Sequence, residues 1–158
     1  MVRVQVKSTR FLLLLMAALS FSCDRNRLYE EHVAFAKGSW NVNDRKEFTF
    51  TIPDPVHRYN IYLDVRNSRD YPYSNLYLFL TTVMPDGSMS RDTVELTLAD
   101  YDGRWLGSGM GNVKFSRFLF RRGFRFPQMG QYRFVFEQAM RVNELQGIPD
   151  IGLRIEKQ

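Results

Sequence analysis

Over most of its length the chain alternates apolar and polar residues with a period of two. Phe48, Phe50 and Ile52 alternate with Glu47, Thr49 and Thr51, and Pro53 and Pro55 end the run. That is the pattern of a strand with one buried face, because successive side chains point to opposite sides of a sheet. Proline cannot donate to a ladder, so it stops the strand. The same alternation recurs in Tyr59, Ile61, Leu63 and Val65, and again in Leu76, Leu78 and Leu80. Met84-Pro85-Asp86-Gly87 has proline and glycine where turns favour them, and predicts an antiparallel hairpin with Thr93 to Leu98. Val113 to Phe120 alternates too, Gly123 to Pro127 is a short piece, Tyr132, Phe134 and Phe136 form another inward set, and Ile151, Leu153 and Ile155 a last one. The pattern predicts about eight short strands and no amphipathic helix, hence an all-β antiparallel sandwich of jelly-roll or immunoglobulin-like type. The 13 Phe, 8 Tyr and 2 Trp suit two sheets with interdigitating inner faces.

The N-terminus follows another logic. Arg3, Lys7 and Arg10 form a basic stretch without acids, and Phe11 to Leu19 form an apolar run of nine residues. This is the layout of a secretory leader, too short to span a bilayer as a helix. Cys23, the only cysteine, follows small Ser22 where bacterial lipoproteins are acylated and cleaved. Its thiol is the only side chain there nucleophilic enough to take a diacylglyceryl group. The alternative is a secreted protein with a leftover thiol, or a buried cysteine near the N-terminus. Each buried methylene contributes ~0.8 kcal/mol and one acyl chain holds only marginally, so the two or three chains of a lipoprotein cysteine would keep the protein on its membrane. The expected organisation is a lipoprotein signal peptide over 1–22, a lipidated N-terminus and tether over 23–38, and the sandwich over 39–158. Residues 23–158 would form an exported domain of the cell envelope, fastened to an inner or outer membrane through Cys23.

Charge changes the picture little. Removing Arg3, Lys7 and Arg10 with the leader leaves 19 basic against 17 acidic residues, a balance that does not suggest nucleic acid as a partner. The distribution is uneven: Gly103 to Phe136 contains seven basic residues and no acid, whereas residues 24 to 102 hold 13 acids and nine bases. Arg117, Arg121 and Arg122 in that stretch are candidates for facing an acidic partner, anionic lipid or polysaccharide, against the plainer reading of solvated arginines on a sheet. His32 and His57 have no ligand-like spacing, and no Gly-x-Ser-x-Gly or Glu-x-x-His pattern occurs. Neither a catalytic centre nor a metal or other cofactor is expected. Asp100 and Asp102, beside a loop with four glycines, lack the rest of a calcium loop. Tyr71, Tyr73 and Trp105 could stack on a sugar or anchor a protein partner, or cap the end of the core.

Several stretches resemble one family in combination. They are Arg66-Asn67 with Asp70-Tyr71-Pro72-Tyr73-Ser74-Asn75-Leu76, then Asp102-Gly103-x-Trp105-Leu106-Gly107-x-Gly109, then Phe126-Pro127-x-x-Gly130-x-Tyr132. Glu137-Gln138-Ala139-Met140-Arg141 and Leu145-x-Gly147-Ile148 with Asp150 to Lys157 complete the set. Together with Cys23 and Asp24, in this order, they resemble the gliding-motility lipoprotein GldH family. The resemblance implies an envelope lipoprotein associated with gliding machinery and its linked secretion system, acting beside other lipoproteins, and it supplies no catalytic residues. The expected role is therefore non-enzymatic and works through protein contacts. A carbohydrate-binding sandwich on the envelope is the rival. Glu137 and Arg141 are expected to pair at the end of the domain.

Overall fold

The computed structural model describes residues 25–158; Cys23 and the leader lie outside them. The strands in chain order are β1 (Arg27–Ala34), β2 (Ser39–Asn41), β3 (Lys46–Ile52), β4 (Tyr59–Ser68), β5 (Asn75–Val83), β6 (Met89–Thr97), β7 (Val113–Phe124), β8 (Gly130–Gln138), β9 (Glu144–Gln146) and β10 (Asp150–Lys157). Two four-stranded antiparallel sheets, ordered β1-β10-β4-β7 and β3-β8-β5-β6, make the sandwich, and β2 pairs with β9 in a small ribbon. The only helical piece among the described residues is a turn at Ala36–Gly38, and no helix there is long and apolar enough to cross a membrane.

The alternating positions meet where the pattern puts them. Ile61, Leu63 and Val65 of β4 and Ile151, Leu153 and Ile155 of β10 face Phe48, Phe50 and Ile52 of β3, Leu76, Leu78 and Leu80 of β5, and Tyr132, Phe134 and Phe136 of β8 in one buried cluster. Phe50 packs edge-on against Phe134 at 5.1 Å, and Phe126 against Tyr132 at 4.8 Å. Burying each such side chain contributes about 1.5–3 kcal/mol. The β5–β6 hairpin turns through Met84 to Ser88, with Gly87 at φ +82° where a side chain would be strained.

Three strands are additional to the sequence pattern. Residues 27–34, expected within the tether, are β1, the edge strand paired along its length with β10. The short β2 and β9 close one end of the core over Trp40, which is fully buried, stacks on Phe35 at 4.4 Å and donates its ring N–H to the carbonyl of Asp44. The short piece expected at Gly123 to Pro127 is instead the end of the long β7 and a loop whose Phe126 enters the core.

Candidate interaction surfaces

Hydrogen-bonded register places one polar row across the outer face of the first sheet. His32 of β1 lies opposite Gly152 of β10, Gly152 opposite Asp64 of β4, and Asp64 opposite Arg117 of β7. The adjacent row runs Glu30, Arg154, Tyr62, Leu119. Residues two apart on a strand share a face, so both rows meet above the sheet. The Asp64 carboxylate has no exposed surface. It accepts from Arg117 Nε at 2.8 Å and Nη2 at 2.7 Å, and lies 3.0 Å from His32 Nε2. Arg117 also donates to Glu30 at 2.7 Å, and Arg154 donates to Glu30 and Glu156 at 2.6 Å each. With Arg27 on Glu30 at 3.1 Å, three guanidinium groups face three carboxylates. Burial raises the pKa of Glu30, but hydrogen bonds from Arg27 and Arg117 and the charges of Arg154 and Arg117 outweigh it and hold the carboxyl down at about 2. The same carboxylates, Asp64 foremost, push the Arg117 pKa above its ordinary value.

Donor atoms of Glu30, His32 and Asp64 approach one another within 4.8 Å, close enough to share an ion. Guanidinium groups already occupy both carboxylates and would repel a further cation. The cluster has the chemistry of a structural ion network clamping β1 and β7 to the middle of the sheet. Sequence reading missed it because each member stands alone in its own strand. Asp64 itself falls in the outward, polar set of β4 with Asn60 and Arg66, so the alternation gives no sign that it is buried.

At one end of the sandwich the loops 69–74, 98–112 and 139–149 gather. Backbone bonds tie them together: Leu98 and Ala99 N–H to the Ser74 carbonyl, Arg69 N–H to Asn112, and Ser68 N–H to Gly147. A Cβ at Gly107 would stand 2.8 Å from the Phe115 carbonyl, so only glycine lets this loop lie against β7. On that frame Tyr101 and Met110 are fully exposed and Leu106 is 60% exposed. At the same end of the sandwich Tyr73, Tyr77, Ala139, Met140 and Arg141 line a groove of about 470 Å³.

The residues singled out by sequence divide. Tyr71, Tyr73 and Trp105 are brought together, with ring centroids 5.6 Å and 6.4 Å from Tyr71. Tyr71 is buried and donates its hydroxyl to the Asn75 carbonyl at 2.8 Å, so it caps the core and offers no open face; burial pushes its pKa up. Trp105 is half-buried, and Tyr73 is exposed. Arg117 belongs to the ion network. Arg121 reaches Asp92 at 3.4 Å and lies over the Phe120 ring, while Arg122 is exposed. Much of the acid-free stretch is thus compensated by the rest of the fold: Arg133 also meets Glu47, and Arg104 meets Asp100 and Asp102. The Asp100 carboxylate further accepts from the backbone N–H of Asp102 and Arg104, an acidic turn bonded to itself. Glu137 pairs with Arg45 and Arg91, both at 2.9 Å, and not with the expected Arg141. The register explains the correction, since Glu137 stands in β8 opposite Phe79 while Arg141 has left the strand.

Comparison with known proteins gives a consistent result. A family model described as GldH lipoprotein matches residues 27–155. The chain is 34% identical over 154 residues to the gliding motility lipoprotein GldH homolog of Christiangramia forsetii, covering 93% of this chain and 94% of that protein. It is 32% identical over 153 residues to the gliding motility lipoprotein GldH of Flavobacterium johnsoniae, covering 92% and 94%. Among solved structures, the Yersinia pseudotuberculosis-derived mitogen aligns over 82% of this chain and 86% of its own with a TM-score of 0.36 and 6% identity, a likeness too loose to carry anything further. Sequence identity of this extent over nearly the whole length, with a family match that starts at β1 and ends in β10, is decisive: the chain belongs to the GldH lipoprotein family.

Proposed function

We propose that this protein is a non-enzymatic envelope lipoprotein, held to its membrane by acyl groups on Cys23, that takes part in gliding motility and the linked secretion machinery through protein–protein contacts. Its relatives named for gliding motility support the setting. One observation carries the mode of action. The braced loop end exposes Tyr101, Leu106 and Met110, large apolar side chains on a frame tied by backbone bonds. All three belong to the one loop 98–112, and exposed apolar groups gathered on one loop suit a protein contact surface.

In-cell crosslinking with mass spectrometry tests this reading. The native protein should capture other envelope lipoproteins or secretion components, and a Tyr101→Asp/Leu106→Asp/Met110→Asp variant should lose them while remaining folded. An unchanged set of crosslinks would overturn the assignment of that surface, and the absence of any envelope partner would overturn the mode of action. A second reading, carbohydrate binding, is favoured by the groove beside Tyr73 and Tyr77, with Arg141 at its rim. The aromatic test belongs at Tyr73, since Trp105 is half-buried. Glycan-array binding abolished by Tyr73→Ala would favour that alternative.

A further inference from the structure

The end of the sandwich where β1 begins carries a set of cations that the ion network does not use. The Lys157 N–H bonds to the Asn26 carbonyl at 2.7 Å, and the Gln158 N–H bonds to the Arg58 carbonyl at 2.8 Å. Lys157 pairs with Tyr59, and Tyr59 with Phe124. The Arg58 side chain lies against Gly123, next to Arg122. Arg25, Arg58, Arg122, Arg125 and Lys157 are all exposed around this end, and among the described residues none of them has a carboxylate partner. The acids nearby are engaged elsewhere: Asp54 by His57 and its own turn, Asp86 by Ser88, Asp92 by Arg121, and Glu156 by Arg154. Three large apolar side chains, Val56, Met89 and Met129, project between 66% and 74% exposed from the loops and strand start of the same end.

The chain that precedes this end settles how far it can stand from a bilayer. Asn26 is already docked on Lys157, and Cys23 is three residues earlier. Three residues span at most about 11 Å when fully extended. An acylated Cys23 sits at the level of the headgroups, so the domain has no long tether on which to stand away. We infer that this end rests on the membrane, with Arg25, Arg58, Arg122, Arg125 and Lys157 against anionic headgroup phosphates and Val56, Met89 and Met129 touching the interface. Unpaired cations next to an acyl anchor supply the second signal that stable membrane attachment requires. The braced loops then point away from the bilayer, about 30 Å up at ~3.3 Å per strand residue. The inference rests on the acylation of Cys23 put forward above.

The acylated protein, reconstituted into phosphatidylcholine vesicles with and without phosphatidylglycerol, tests it. Acylation consumes the only native thiol, so Met129→Cys and Met110→Cys each provide a single labelling site at opposite ends. Lipids carrying a headgroup-level nitroxide should quench a fluorophore at Met129→Cys several-fold more than one at Met110→Cys, and more strongly with phosphatidylglycerol present. Adding Arg58→Glu/Arg122→Glu/Arg125→Glu should reduce that quenching at least about two-fold without releasing the protein from vesicles. Equal quenching at both ends, stronger quenching at Met110→Cys, or indifference to both phosphatidylglycerol and charge reversal would overturn the inference. The mass of the N-terminal peptide reports acylation separately. Should Cys23 be unmodified, the anchoring reading fails on its own account. The basic end is then decided by cosedimentation of the unacylated protein with phosphatidylglycerol vesicles, where no loss on charge reversal overturns it.

Discussion

Two ion clusters, one on the outer face of each sheet, differ in how far water reaches them. On β1-β10-β4-β7, Asp64 is sealed from solvent beneath His32 and Arg117, and Arg154 is only 9% exposed. On β3-β8-β5-β6, Glu47 and Arg133 pair at 3.1 Å with nearly half of each side chain in water. Residue types and distances are alike; access of solvent is the difference. An exposed pair gains roughly 0–1 kcal/mol because water competes for both ions. Removing one member of a sealed pair leaves a charge with neither water nor partner, at a cost of ~3–5 kcal/mol. A salt bridge is therefore a stability statement only once its burial is known.

The largest effect should come from Arg117→Ala, which leaves the solvent-sealed Asp64 carboxylate without its guanidinium and is expected to destabilise the domain by ~3–5 kcal/mol in urea unfolding. A loss below ~1 kcal/mol would make the two faces equivalent. Acid should act through Glu30. Because its folded-state pKa is depressed from 4.5 to about 2, its contribution is complete above about 4.5 and is lost as pH falls through about 2. Glu30→Gln should flatten that limb of the stability curve by on the order of 2–3 kcal/mol. Gly152→Ala comes next. A Cβ there would lie 2.4 Å from the His32 ring, forcing the ring off Asp64, and a loss of about 1–3 kcal/mol is expected from thermal unfolding. Smallest is the exposed pair: a double-mutant cycle of Glu47→Ala with Arg133→Ala should return a coupling of no more than about 1 kcal/mol.

The period-two pattern was enough to locate β3, β4, β5, β6, β7, β8 and β10, because each has one face in the core and one in water. β1 escaped it for a physical reason. Its outer residues Glu30 and His32 sit in the ion network, and its inner-facing Glu31 is exposed at the sheet edge, so neither face is simply apolar or polar. The three-residue β2 and β9 are shorter than any window in which a period can be recognised. Of the candidate surface, the tyrosine motif and glycine-rich loop were legible as neighbours in sequence. Neither the inward turn of Tyr71 nor the grouping of Arg58, Arg122 and Lys157 can be read without strand register. The acid-free stretch from Gly103 to Phe136 is balanced only in part, since Arg117, Arg121 and Arg133 find their acids on other strands, and that pairing cannot be read without register.

The direction of β1 has a mechanical consequence. It begins at the end proposed above to face the membrane and runs antiparallel to β10, with the braced loops at the far end of the same sheet. Tension between a lipid at Cys23 and a partner gripping those loops would run along the strands. Ladder bonds lie perpendicular to that axis, so the β1–β10 bonds would be strained together in shear and not opened one after another like a zipper. A moving load would be carried by the whole length of the strand.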